Sequence, residues 1–408
     1  NPPKTVMEDK TKKEHFADVE YSEDKVEEYI EQVLQLEAVA CKDWLTSKVD
    51  RSITGRVARQ QCAGPLQLPL NDLGAMALDY RGERGIATSI GHAPVAALAN
   101  PACGSRLAIA EALTNLVWAP IEQGIKGVSL SANWMWPCKN AGEDARLYKA
   151  VQAASDFAIE LGINIPTGKD SLSMTDEKPV IGSILCLLAV DTHNLQLKPD
   201  TGNHSLAAPG TVIISTVGEV TDVKKIVSPV LKPDQDSEIV YIDFSFDKFK
   251  LGGSSFAQVL NRVGKETPDV KDSDYFVNAF MAIQRLVEEG YILAGHDISA
   301  GGMITTLLEM CFADNRLGLD IDFSYLAEKD IVKILFAENP GVLVQIKDCK
   351  KVAAILDEAG VAYNFLGRLG KAGKLNIKKD SKNFHLDIPS LRDLWFKTSY
   401  LLDRRQSG

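Results

Sequence analysis

The 408-residue sequence has no run approaching the roughly 18 to 20 unbroken apolar residues that a membrane-spanning helix needs. It also has no basic, hydrophobic signal region at its front, and both absences point to a cytoplasmic protein without membrane partners. Cysteine is sparse: Cys41, Cys62, Cys103, Cys138, Cys186, Cys311 and Cys349 stand singly, with no C-x-x-C pair and no histidine at zinc-ligand spacing. That excludes a structural zinc knuckle and predicts reduced thiols. Positive charge is short as well, with 45 Lys and Arg against 55 Asp and Glu for a net charge of −10. No extended basic stripe exists to neutralise a nucleic-acid backbone, so nucleic acid is excluded as a partner. A phosphorylated ligand would have to be held by metal ions or by local amide groups. Neither G-x-x-x-x-G-K-[ST] nor G-x-G-x-x-G occurs, so an ATP site, if there is one, is not a P-loop or a Rossmann crevice.

What is present is globular. The chain is 45% hydrophobic and 25% charged, and it is long enough for two or more domains. It opens NPPKTVMEDKTKKEH without an initiator methionine and closes on DRRQSG, so both ends read like cuts inside a longer polypeptide. Residues 1–40 form a polar segment followed by a helix, predicted from the acidic first turn and periodicity of SEDKVEEYIEQVLQL. From 41 to 205, β-like runs (KDWLTSKVD, GPLQLPL, GVSLSAN, GSILCLLAVD) interleave with helical patterns at 103–118 and 143–161, which predicts an α/β or α+β domain. The turn-rich LKPDTGNHSLAAPG marks a boundary near 205. A second domain, 206–370, alternates strands (TVIISTVG, YILAGHD, GVLVQIK, AYNFLGRLG) with helices near 274–289, 302–313 and 349–359, and 371–408 adds a final strand and helix.

Four stretches place polar residues where burial is predicted. In GPLQLPLNDLGAMAL, Asn71 and Asp72 interrupt an alternating leucine run, and a turn or helix N-cap is the bland reading of Asp72. In SRLAIAEALTNL, Glu111 and Asn115 share one face of an otherwise apolar helix. A buried ion pair is the default for Glu111, yet the neighbouring carbonyl oxygen of Asn115 adds the kind of donor that Mg²⁺ accepts. In YILAGHDISAGGMITTLLEM, a strand ends at His296 and Asp297, and Ser299, Gly301 and Gly302 lead into a helix N-terminus able to face an anion. His296 reads as a packed or orienting residue. In NIPTGKDSLSM, Gly168, Lys169, Asp170 and Ser171 make a polar break, with Lys169 a candidate phosphate or substrate contact and a surface turn the cheaper explanation. LGGSSF is a further glycine-serine loop of the same ambiguity, and Trp134 and Trp136 read as packing.

Taken together, DRSITGRVARQQCAGPLQLPLND, SIGHAPVA, LAIAEALTN, GVSLSANWM, GEDARLYKAV, PTGKDSLSM and GHDISAGG resemble the large form of the phosphoribosylformylglycinamidine synthase family, over roughly residues 40–400. The match is to the second of two homologous halves of the synthetase region. The resemblance implies an aminoimidazole ribonucleotide synthetase-like fold, with an N-terminal α/β domain that forms a shared barrel with its counterpart, followed by a C-terminal α+β sandwich domain. It implies an ATP- and glutamine-dependent ligase of purine biosynthesis, in which this half holds ADP or ATP and Mg²⁺ at an auxiliary site. The metal positions of that site fall on Asp72, Glu111, Asn115 and Asp297, and the nucleotide contacts on Lys42, Asn71 and Ser299. Asn71 departs from the small residue of the family pattern. Lys169, Asp170, Ser171, Gly301 and Gly302 stand as further phosphate or substrate contacts. The implied partners are the first synthetase half, the glutaminase domain, a purine-pathway ribonucleotide and a homodimeric copy. No cysteine sits in a glycine-flanked nucleophile elbow and the catalytic phosphate loop of the first half is missing, so the expectation is that this portion does not turn over alone. The alternatives are a free-standing kinase or cyclising synthetase of the same superfamily, and a non-catalytic nucleotide-binding scaffold.

Overall fold

The computed structural model describes residue 7 and residues 16–46, 54–176 and 206–407. The expected strand GSILCLLAVD and the boundary near 205 lie outside the described residues.

Two mixed sheets organise the chain. The first has six strands in the order Val57–Arg59, Gly74–Ala77, Gly85–His92, Thr211–Val220, Val128–Met135, Asn164–Ser171. All its pairings are antiparallel except the last, between Val128–Met135 and Asn164–Ser171. Burial alternates residue by residue along Gly85–His92, so one face of this sheet is covered and the other is not. The covering element is the helix Pro101–Leu116. Asn100 caps it by accepting from the amides of Ala102 and Cys103 at 3.0 and 3.2 Å, and Pro101 follows at the first turn, where no amide hydrogen is needed. The helix Glu143–Leu161 lies beside it and ends at Gly162, whose φ of 70° is open to glycine at little cost.

The second sheet has seven strands in the order Ile292–Asp297, Gly341–Ile346, Glu238–Asp243, Tyr363–Leu369, Leu319–Asp322, Lys374–Lys379, Lys382–Asp387. Gly341–Ile346 is buried at every position, as an interior strand covered on both faces must be. Two hydrophobic cores result. One joins the Pro101–Leu116 helix and the first sheet to the helix Ser273–Glu288. The other gathers the N-terminal helix Val26–Leu34, the helix Gly302–Phe312 and Trp395 of the C-terminal helix. The two regions are fastened by polar contacts. Arg106 pairs with Asp269 through two hydrogen bonds of 2.8 and 2.7 Å, and Gln284 donates to the carbonyls of Val117 and Ala119 while accepting from the Ile121 amide.

Two expectations are corrected. Within KDWLTSKVD, of which residues 42–46 are described, Asp43–Thr46 is a short helix rather than a strand. The stretch holding Lys169, Asp170 and Ser171 is not a turn: it is the strand Asn164–Ser171, which pairs in register with Val128–Met135 at the edge of the first sheet. Its polarity comes from that edge position, where side chains on both faces meet water. Trp136 is packed as expected, fully buried with its indole N–H on Glu143 at 2.9 Å.

Candidate metal and nucleotide site

Three separate segments meet at one buried point. The loop before Asp72 is tied down by Asn71, whose amide nitrogen donates to the carbonyls of Gln60 and Cys62 at 2.7 and 3.0 Å. The strand Ile292–Asp297 passes Trp118, just beyond the end of the Glu111 helix, so closely that residue 295 is glycine; a Cβ there would lie 2.2 Å from the Trp118 ring. His296 and Asp297 are thereby brought against Asp72, and the ligand-type atoms of Asp72, His296 and Asp297 all lie within 4.8 Å of one another. His296 Nδ1 is 2.7 Å from Asp72 Oδ1, and its Nε2 is 3.0 Å from Glu309 Oε2 on the helix Gly302–Phe312.

The electrostatics of this cluster are unbalanced. Burial, followed by the charge of Asp72, holds the Asp297 carboxyl well above the ordinary range, and burial also raises Asp72. Burial opposes the charged form of His296, but Asp72 and Glu309 outweigh it and keep the imidazolium well above its usual pKa. Glu111 is pushed up to about 8 by burial; the His92 amide, donating at 2.6 Å, only partly offsets this and Glu338 adds to it. Several carboxylates thus share one imidazolium. Asp72 Oδ2 and Asp297 Oδ2 are buried and accept no well-aligned hydrogen bond among the described residues, the Trp118 indole acting on Asp72 only as a poorly directed donor. Buried acceptors without donors are rare and call for an ion or water. The donor set, carboxylates plus one imidazole, fits a divalent cation.

Beside the cluster lies a cleft of about 100 Å³, lined among others by Glu111, Ser299, Gly253, Ser255 and Glu338. Glu338 was not found by reading the sequence. Its Oε1 accepts the amide of Ser255 at 2.8 Å and that of Gly301 at 2.7 Å, so one carboxylate ties the LGGSSF loop to the start of the Gly302–Phe312 helix. The anion expected at that helix N-terminus is therefore, in part, the chain's own. Glu338→Ala is expected to lower stability by about 2 kcal/mol, the scale of hydrogen bonds to a charged acceptor. Urea denaturation with amide exchange at Ser255 and Gly301 tests this, and unchanged protection at both amides would show that the link carries nothing.

The expected site residues divide. Asp72 and Asp297 meet, together with His296. Glu111 is not one of their 4.8 Å group; it lines the cleft, and its charge is felt at Asp297. Asn115 is oriented by its amide nitrogen, which donates to the Ile90 carbonyl at 3.0 Å. Lys42 turns back on its own chain, donating to the carbonyls of Glu37 and Ala38 at 2.8 and 3.3 Å, and burial lowers its pKa. Asn71 is engaged with loop carbonyls. Ser299 lines the cleft. Gly301 and Gly302 adopt φ of 93° and 72° at the helix start, where a side chain at 302 would meet the backbone of Leu335 and Phe336. Lys169 and Asp170 are exposed on the edge strand, with Lys169 Nζ donating to Ser171 Oγ at 3.2 Å.

Residues 41–180 match the family model described as the FGAR-AT PurM_N-like domain, and residues 248–380 match that of the AIR synthase related protein, C-terminal domain. The human phosphoribosylformylglycinamidine synthase is 37% identical over 389 residues, 94% of this chain and 27% of the human protein. The probable counterpart from Caenorhabditis elegans is 38% identical over 387 residues, 91% of this chain and 27% of its own length. Among solved structures, T. maritima PurL complexed with FGAR aligns with a TM-score of 0.62 at 13% identity, covering 90% of this chain and 53% of that one. T. maritima PurL complexed with ADP aligns with a TM-score of 0.61 at 13% identity, over 90% of this chain and 51% of that one. Those likenesses establish the aminoimidazole ribonucleotide synthetase-like α/β fold. The chain spans about a quarter of the length of the curated relatives it matches, and it belongs to the phosphoribosylformylglycinamidine synthase family.

Proposed function

We propose that this chain is the second synthetase half of an ATP- and glutamine-dependent ligase that converts formylglycinamide ribonucleotide to formylglycinamidine ribonucleotide, and that it supplies an auxiliary Mg-nucleotide site. The observation that carries the reading is the pair of buried carboxylate oxygens of Asp72 and Asp297 that no well-aligned donor satisfies, set beside a cleft that opens on Glu111 and Ser299. When bound, the cation would neutralise phosphate charge that this acidic chain has no basic stripe to meet. Asp72 and Asp297 would hold it, with Glu111 and Asn115 reaching it from the helix. Ser299 would orient the nucleotide, and His92 and Asn115 would keep the helix face in register with the strand Gly85–His92. The division into 41–205, 206–370 and a closing 371–408 remains part of this reading, with the first unit extended past 205, because the strand Thr211–Val220 pairs inside the first sheet.

The partner reading rests on the uncovered face of the first sheet. Met76, Ile86, Ile90 and Val217 project from neighbouring strands on that side and are 40 to 58% exposed. An apolar sheet face of this kind fits the counterpart domain of the first half, or a second copy, closing a barrel. Among the described residues no helix is long and apolar enough to cross a membrane, and Cys41, Cys103, Cys138, Cys311 and Cys349 are free thiols. A cytoplasmic location is part of the same reading.

Calorimetric titration with ADP tests the site. Glu111→Ala is expected to weaken binding at least tenfold in Mg²⁺ and by less than twofold in chelator, with the fold retained. Equal affinity of variant and parent in Mg²⁺ would remove the helix from the site.

A further inference from the structure

The resemblance implies a metal site made only of oxygen donors, yet the residue at the centre of the cluster is a histidine. Its Nδ1 lies 2.7 Å from Asp72 Oδ1 and 3.5 Å from Asp297 Oδ1, but no well-directed hydrogen bond reaches it. Short approach without alignment is what two donors aimed at a common third point show. Adjacent ligands of a six-coordinate ion at 2.0–2.1 Å are roughly 3 Å apart, which these two separations bracket. The far nitrogen, Nε2, is held by Glu309 Oε2 at 3.0 Å, the carboxylate–histidine arrangement that fixes the tautomer and ring angle of a metal-bound imidazole. The side chains of His296, Asp72 and Asp297 are 8%, 3% and 2% exposed, so the ring has no other role toward solvent.

We propose that His296 Nδ1 is itself a ligand, completing with Asp72 and Asp297 a nitrogen-containing site whose ring is set by Glu309, and that this site favours a borderline transition ion such as Mn²⁺ over Mg²⁺. The proposal rests on the cation reading above and goes beyond its oxygen-only set. The chemical reason is that imidazole suits transition ions, whereas Mg²⁺ takes oxygen donors and water. Binding requires a free lone pair on Nδ1, so its proton leaves to solvent as the ion enters, while the hydrogen on Nε2 stays on the ring and is donated to Glu309.

The test uses the whole chain, stripped with chelator and loaded with Mn²⁺. Electron spin-echo envelope modulation reads nitrogen bound directly to manganese. A ¹⁴N coupling is expected in the parent and is expected to vanish in His296→Gln. The ratio of Mn²⁺ to Mg²⁺ affinity should fall at least tenfold in the same variant. Glu309→Gln keeps the ring and should retain the coupling at 10- to 100-fold weaker affinity, which protects the test should His296→Gln fail to fold. Stoichiometric Mn²⁺ without nitrogen coupling would overturn the proposal and leave an oxygen-only cation site standing. Failure of the parent to bind either ion near one to one would remove both readings, and coupling that persists in His296→Gln would assign the nitrogen elsewhere.

Discussion

Asp297→Asn is expected to cost more than 100-fold in Mg²⁺-dependent ADP affinity and, in the same molecule, to raise the stability of the cation-free protein. The two effects have one cause. Asp297 is 2% exposed, its Oδ2 accepts no hydrogen bond among the described residues, and Asp72, Glu111 and Glu309 all repel its charge. Burial and then Asp72 raise its folded pKa well above the ordinary value. A raised carboxyl pKa means the folded state binds the proton more tightly than the unfolded state. The stabilising difference is complete below the unfolded pKa and is lost as pH rises through the folded one. Asparagine carries no charge to lose. Its advantage in chelator should therefore be absent below about pH 4 and grow with pH, reaching on the order of 1 kcal/mol, the scale of relieving one unfavourable site residue. Excess Mg²⁺ should reverse the order, because a ligand that binds only the folded state stabilises the parent. The Thr306 hydroxyl bonds the backbone carbonyl of residue 297, so the turn itself survives the change. Thermal melts across pH, with and without cation, plus calorimetric titration, read all of this. A variant that binds as tightly as the parent, or that loses stability equally at every pH, would contradict the metal reading of the cluster.

The lone carboxylate in an apolar helix was the signal by which Glu111 could be seen in the sequence. The same signal was present at Glu309, the only charged side chain in ITTLLEMCFA, and at Glu338 in the apolar stretch ILFAENPGVLV. Both sit at the site: one against His296, the other bridging two loops. Periodicity gave the long helices closely: Ser273–Glu288 and Cys349–Glu358 each bury one face, and Pro101–Leu116 is buried nearly all round, with Glu111 and Asn115 among its few half-buried positions. The strands Gly74–Ala77, Glu238–Asp243 and Lys382–Asp387 were not seen. They are four to six residues long, so alternation over them is too brief to separate from a loop, and Glu238–Asp243 in addition pairs only with strands about a hundred residues or more away. His296 reads in sequence as a packed or orienting residue, and it is buried between Asp72 and Glu309. The return of Asp72 from more than two hundred residues away is what no local pattern could show.

Gly91→Val is expected to be a severely damaging substitution outside the charged cluster. The strand Gly85–His92 crosses the helix Pro101–Leu116 so closely that a Cβ at residue 91 would lie 2.3 Å from the Ala108 carbonyl oxygen and 2.3 Å from the Ala112 nitrogen. Both are backbone atoms, so no rotamer change relieves the contact, and trimming Ala108 to glycine would not help. Strand and helix must separate by an ångström or more within a close-packed core. Overpacking that side chains can absorb costs roughly 1 to 3 kcal/mol. Here the backbone must move, and a loss of about 4 kcal/mol or failure to accumulate as folded protein is the expected result. The damage should also reach the site before the fold is lost. The neighbouring amide, His92 N–H, is the hydrogen bond that holds Glu111 in place, and Asn115 is held by the carbonyl of Ile90 on the other side of residue 91. One glycine thus sits between the two strand groups that aim the helix's polar face. Gly74→Ala is the control in the adjacent strand, since the nearest atom to its new Cβ is Thr88 Oγ1 at 3.9 Å. That variant should keep its stability within about 1 kcal/mol and its nucleotide affinity unchanged. Urea midpoints for the two variants that fall together would show that the closeness of strand to helix does not set the geometry of the site.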